Sequence, residues 1–328
     1  MPSVSRCAFK DQEGIALENE AIRAVLLPDW GAKTVSLVHK GLGIETLWQN
    51  PGPCFARTNY GDSFGEGEFA GFDEMFPTIS RCFCDVVPWA GTELPDHGEV
   101  WTIPWETRIE GDSVSFGVNG TRFPYRLEKT VTLEGSSLLA HYVAMNLGAF
   151  PLDYIWAAHP LFNATEGMRF IVPEGMRKAI NAIPGPTLGG YGVGLDFPVA
   201  RLSDGETVRL DRVPARNDIG YQKYWFAEKV KEGWCMIRDD RSTLTIGLAF
   251  PKESVPYLGM WLNEGGYNGQ YNIAPEPATA PMDRPDIAKM WGKGSVLAPG
   301  AKVEWQLVIA LAAGRTPIGM TEGGVFAF

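Results

Sequence analysis

YRLEKTVTLEGSSLLAHYVAMNL, residues 125–147, decides the fold class. Leu127, Lys129, Val131 and Leu133 fall on one face of an extended chain, because successive side chains of a strand point to opposite sides. Glu134-Gly135-Ser136 breaks the pattern as a turn, after which Leu139, His141, Val143 and Met145 alternate along a second strand. The stretch therefore predicts two β-strands joined tightly. The same reading extends outward. SVSFGVNG (113–120) alternates Val114, Phe116 and Val118 and ends in Asn-Gly, a hairpin signal. TLTIGLAF (243–250) and KVEWQLVIALAA (302–313) repeat the alternation, and AIRAVLLPDWGAKTVSLVHKG (21–41) reads as strand, turn, strand. With 38 glycines and 24 prolines punctuating the chain, there is little room for long helices. The expected fold class is all-β, with many short antiparallel strands in a sandwich or barrel. No composition shift marks a boundary, so residues 1–328 are expected to form one domain. The turn-rich NAIPGPTLGGYGVGLDFP (181–198) is placed as a rim loop.

Composition removes several classes of function. At 45% hydrophobic and 21% charged residues, the chain is an ordinary globular sequence with ample core. A net charge of −10 argues against nucleic acid or an anionic membrane as partner, since both need a basic face. No stretch approaches the roughly 20 apolar residues that span a bilayer. MPSVSRCAFKDQEG at the start lacks an apolar secretory core. Five cysteines, an odd count, read as small buried thiols in a reducing compartment, so a cytoplasmic location is expected. CFC (82–84) lacks the spacing of a zinc knuckle, and no metal site is predicted. Eleven tryptophans suit a large core, and they also suit a carbohydrate site, where an indole face packs on sugar C–H groups.

Two motifs are set aside. GDSFG (61–65) matches a nucleophile elbow, but GEGEFAG after it cannot form the helix that motif requires, so Ser63 is no nucleophile. GGYGVG (189–194) lacks the βαβ context of a dinucleotide loop. Of the four histidines, His39 reads as a turn residue, and His141, mid-strand, as a core or cross-strand group. His97 and His159 lie where strand gives way to turn. Gly98 after His97 permits close approach of a ligand or another chain, and Pro160 holds His159 extended. Either is open to a structural role alone; together in this setting they favour a site. Glu276, clamped between Pro275 and Pro277, cannot be helical. It is either a surface residue of a Pro-rich loop or a rigid general base beside the amide- and aromatic-rich WLNEGGYNGQY (261–271).

In this order, AIRAVLLPDWGAKTVSLVHKGLGIETLW, FAGFDEMFPTISR, LPDHGEVWTIPWE, HPLFN, EPATAPMD and GSVLAPGAKVEWQLVIAL resemble the aldose 1-epimerase (galactose mutarotase-like) superfamily over nearly the whole chain. The resemblance implies a large antiparallel β-sandwich that binds a monosaccharide across one concave sheet. It implies Glu276 as general base, His159 as general acid, and His97 and Arg81 as substrate contacts. Departures from the family pattern are Ala158 before the acid histidine and Pro160-Leu161 after it. HGEVW offers Glu99 and Trp101 where the hexose-6-phosphate branch carries an arginine, leaving Arg81 or Arg57 to supply any phosphate-binding charge.

The chemistry so implied exchanges α and β anomers by ring opening, with a base on the C1 hydroxyl and an acid on the ring oxygen. It calls for no metal, no cofactor and no covalent enzyme intermediate. An imidazole with an ordinary pKa near 6.5 is poised for the acid's part. Trp261 is open to stacking on the sugar or to a core role, and Asp73 and Glu74 to hydroxyl recognition or loop capping. Two other classes compete: a non-catalytic carbohydrate-binding protein of the same fold, and the sandwich domain of a polysaccharide lyase or glycoside hydrolase. The latter usually wants two carboxylates flanking the bond, where the sequence nominates one.

Overall fold

In the computed structural model, which describes residues 2–328, the 125–147 stretch forms the two expected strands. Tyr125–Glu134 pairs with Ser137–Asn146 in unbroken antiparallel register, and Gly135 turns the chain at φ 54°. Leu127, Lys129, Val131 and Leu133 are all buried, as their shared face predicts. On the second strand the inward set is Leu138, Ala140, Tyr142 and Ala144. His141 is on the outer face, 3.4 Å from Glu304 of the neighbouring strand, so its role is cross-strand and not in the core. The Asn119-Gly120 signal opens a wider loop than a two-residue hairpin, since Asn119 pairs with Arg126.

Among the described residues, this pair belongs to an eight-stranded sheet that faces a thirteen-stranded one. Every pairing between named strands is antiparallel in both, and one short α-helix, Pro285–Met290, accompanies them. The main core lies between the sheets, where Tyr125, Tyr142, Trp305 and Phe116 meet Phe72, Trp156, Met260 and Ile273. The five cysteines are unpaired; Cys82 and Cys235 are buried as expected, whereas Cys54 is exposed.

The centre of the larger sheet runs Phe72–Met75, Ala157–Pro160, Tyr271–Ala278, Tyr257–Glu264, Tyr221–Phe226. These strands are covered on both faces, which is why YLGMWLNE (257–264) is buried along its whole length. Side-chain parity sorts the two faces. Leu258, Met260, Leu262 and Ile273 point at the second sheet. Trp225, Trp261, Ala274 and Ala278 point the other way, under a cover of loops. Asp73, His159, Lys223 and Glu276 share the parity of that second set. The alternation of the strands alone thus gathers four ionisable side chains on one outer face.

Candidate active site

Glu276 lies in the middle of the Tyr271–Ala278 strand, not in a surface loop, and is fully buried. On one side that strand pairs continuously with Tyr257–Glu264. On the other it pairs with Phe162–Asn163 and again at Ala157, with an interruption between. Pro160, Pro275 and Pro277 cluster at this gap. Having no N–H, they leave no ladder donor stranded where the pairing lapses. The gap brings Glu276 opposite His159, with Oε1 3.9 Å from Nε2. Both border a cavity of ≈ 290 Å³, at the small end of the usual range for small-molecule sites.

Three loops wall the cavity and are stitched together by backbone bonds. The His97 N–H donates to the Ile79 carbonyl (2.6 Å), the Glu99 N–H to Phe76 (2.8 Å), and the Ile79 and Ser80 N–H groups to Asp283 (3.1 and 2.8 Å). Gly98 is required there, because a Cβ would lie 2.1 Å from the Phe76 carbonyl oxygen. The close approach that glycine was expected to allow is that of another segment of the chain. His97, Met282 and Asp283 hold φ of 59°, 70° and 66°, strained values for residues with side chains and of a kind that clusters at functional sites.

The side chains form an ionisable floor and an aromatic wall. His97 stacks flat on Phe64, centroids 4.0 Å apart, and meets the His159 ring edge-on at 5.1 Å. Its Nδ1 lies 3.1 Å from Asp96, whose other oxygen accepts from the Phe64 N–H (2.9 Å) and the Ser63 hydroxyl (3.2 Å). Burial works against the Asp96 carboxylate, but His97 and these donors outweigh it and hold its pKa well below the usual range. Phe69, Trp261, Tyr221 and Tyr267 complete the wall, with Trp261 fixed through Nε1 to Asn272 (3.1 Å).

Lys223 occupies the floor, its Nζ 3.0 Å from Glu276 Oε2 and 3.2 Å from Asp283 Oδ2. Asp283 is held on its other oxygen by the Trp225 indole (2.8 Å). Lys223 lies two strands from Glu276, a span of about 10 Å. Gly259, in register between Trp225 and Glu276, leaves that path clear; a Cβ there would press on the Trp225 ring at 3.1 Å. Burial opposes the Lys223 ammonium, yet Asp283 and Glu276 together raise its pKa above the ordinary lysine value. Burial pushes Glu276 up, and Lys223 is the chief group pulling it back. His159 is driven well below the imidazole range by burial, with His97, Lys223 and Lys33 adding to the effect. Burial therefore favours the neutral ring, where the sequence suggested an imidazole poised near neutrality. Its Nδ1 has no hydrogen-bond partner among the described residues.

No protein-family model and no curated protein matches this sequence. Solved structures do. A galactose mutarotase-like protein from Lactobacillus casei is 20% identical over 91% of this chain and 100% of its own, with a TM-score of 0.66. Another from Clostridium acetobutylicum is 14% identical over 95% and 99%, at 0.69. An Escherichia coli K12 protein proposed to be an aldose 1-epimerase is 13% identical over 96% and 100%, at 0.64. The chain has the galactose mutarotase-like fold.

On this mutarotase-like sheet, His97, His159, Glu276 and Trp261 reach one cavity. Four further candidates do not line it. Arg81 turns away, its guanidinium 2.8 Å from Glu93 and 3.0 Å from the Gly61 carbonyl oxygen. Arg57 is exposed beside Asp11. Asp73 lies beneath the site, 2.9 Å from Lys33, and burial pushes its pKa up to about 6 despite that partner. Glu74, one residue on, points into the inter-sheet core and accepts from Lys129, Tyr142 and Trp156 (3.1, 2.9 and 3.0 Å). Lys223, Asp283, Asp96 and Phe64 were missed. Phe64 belongs to the discarded GDSFG, whose Ser63 caps Asp96, and Ile183-Pro184 of the expected rim loop lines the cavity too.

Proposed function

We propose that this chain is an aldose 1-epimerase, exchanging the α and β anomers of a free monosaccharide by acid–base ring opening. The observation that carries the reading is the Glu276–His159 pair, 3.9 Å apart across a buried, aromatic-walled cavity. At that separation a carboxylate and an imidazole can each contact a different oxygen of one carbon, as the C1 hydroxyl and ring oxygen of a hemiacetal demand. Glu276 takes the proton from the C1 hydroxyl as the C1–O5 bond opens. A neutral His159 donates a hydrogen bond to the same anomeric centre, and His97 orients a sugar hydroxyl. Trp261 and Phe69 pack against C–H faces of the ring.

A neutral sugar fits better than a sugar phosphate. The charge of Lys223 is already balanced by two carboxylates, and neither Arg81 nor Arg57 lines the cavity. A dianionic phosphate would therefore enter a site already holding Glu276, Asp283 and Asp96.

Polarimetry tests the reading, with freshly dissolved α-D-glucose, α-D-galactose and a panel of other aldoses. The rotation is expected to reach equilibrium faster with the protein than without it for at least one sugar. A sugar that binds while no sugar in the panel equilibrates faster would instead make the chain a non-catalytic carbohydrate-binding protein.

A further inference from the structure

Ring opening needs a proton for the ring oxygen, and burial disfavours the protonated His159 that would supply it. Lys223 is differently placed. An ammonium has three N–H donors. Its Nζ lies 3.0 and 3.2 Å from Glu276 Oε2 and Asp283 Oδ2, ion-pair contacts in which neither Glu276 oxygen completes a hydrogen bond. Lys223 also lines the cavity, so an N–H not spent on these carboxylates is open to a ligand there. A sugar whose C1 hydroxyl sits on Glu276 places its ring oxygen on the same carbon, within reach of the adjacent ammonium.

We propose that Lys223 is a catalytic residue, the proton donor to the ring oxygen; this rests on the mutarotase reading above. Glu276 takes the C1 hydroxyl proton, and the freed electron pair forms the C1=O bond. The C1–O5 bond breaks with its pair going to O5, and a Lys223 N–H proton moves onto O5. An amine is left beside Asp283. After rotation about C1–C2, the C5 hydroxyl attacks the other carbonyl face, returns its proton to Lys223, and Glu276 returns its own to O1. Atoms and charge balance with no co-reactant. The two transfers assist each other: once Glu276 is protonated, one of the two negative charges holding the Lys223 proton is gone. The ammonium becomes a stronger acid at the moment O5 needs a proton.

Lys223→Arg separates this role from mere positioning of Glu276. Arginine keeps the positive charge and can bond both carboxylates, but it does not give up a proton. On a sugar that the wild type turns over, folded Lys223→Arg is expected to lose about 10²-fold or more in kcat, the usual contribution of general acid catalysis. Its KM should stay within a few-fold. A kcat within about threefold of wild type would overturn the proposal. Should Lys223→Arg fail to fold, Lys223→Ala supplies the test by added cations. Rescue by ethylammonium, which carries transferable protons, but not by tetramethylammonium, which carries none, supports a proton donor. Equal rescue by both, or by neither, overturns it. A wild type inactive on every aldose would sink the epimerase reading itself, whereas an active wild type with an active Lys223→Arg sinks only the role of Lys223.

Discussion

Two buried lysine–glutamate pairs sit on opposite faces of the larger sheet, and they differ in what surrounds the ammonium. Lys129, in the inter-sheet core, donates to Glu74 (3.1 Å) and the Ala32 carbonyl (2.7 Å). The rest of its surroundings are aromatic, with the rings of Phe72, Trp105 and Phe116 at 5.7–5.9 Å. Glu74 in turn is filled by Tyr142 and Trp156. Lys223 meets two carboxylates and then open cavity. Lys33, also on the outer face but beneath the loops, donates to the Glu68 and Ala70 carbonyls (2.6 and 3.0 Å), lies 2.9 Å from Asp73, and does not line the cavity. A buried charge whose bonding capacity is used up belongs to the framework. One with a donor left over, facing a cavity, is available to a ligand.

Breaking the framework pair should give the largest effect on stability. Lys129→Met leaves Glu74 buried without its cation, and a cost of about 3–5 kcal/mol is expected in denaturant unfolding. Adding Glu74→Gln, which still accepts from Trp156, should recover much of that loss. The mutarotation rate per folded molecule should not change. If Lys129→Met left stability intact, the contrast between the two lysines would collapse.

Next in size is His159→Asn. Removing a hydrogen-bonding group that contacts the reacting centre, without removing the base or the ammonium, should cost about 10-fold in kcat, below the usual contribution of an acid or base. A loss as large as that of Lys223→Arg would return the donor's part to His159.

The pH dependence of stability gives a smaller signal. Burial keeps His159 neutral when folded, whereas the unfolded side chain takes up a proton near pH 6.5. Below that pH the unfolded state binds more protons, so stability falls as pH drops from about 6.5 toward the depressed folded value. His159→Asn should flatten that part of the curve, as read by thermal melts across pH 5–8. A slope identical in the variant would mean the imidazole is not held neutral.

Arg81→Ala should matter least. Its guanidinium is tied to Glu93 and Gly61 on the surface, so kcat/KM is expected to change less than about twofold, in keeping with the small worth of exposed ion pairs. A tenfold loss would show that the loop bearing Arg81 closes over the sugar.

The fold was legible because alternation in 125–147, 243–250 and 302–313 reports strands whatever packs on them. Glu276 and His159 were legible because prolines beside them restrict the backbone, which marks a special position. Lys223 carried no such mark. In YQKYWF (221–226) it reads as the solvent-facing residue of an ordinary strand, and only the loops folded over that face bury it. Sequence parity assigns side chains to faces but cannot say which face a distant loop will cover. Asp283 was hidden for the same reason, its place fixed by contacts to residues 78–80 some two hundred positions away. Arg81 failed in the opposite way: likeness of a motif supplies a residue type but not the direction of its side chain. Asp73 and Glu74 divide between the two sheet faces, as the two-residue period requires, and neither lines the cavity.

The decisive measurement is the polarimetric mutarotation rate of Glu276→Gln beside that of wild type, on a sugar that wild type equilibrates. The amide keeps the shape of the side chain but cannot accept the C1 hydroxyl proton. The account predicts a folded protein that still binds the sugar and whose rate is at least about 10²-fold lower. A folded Glu276→Gln with the wild-type rate would contradict it.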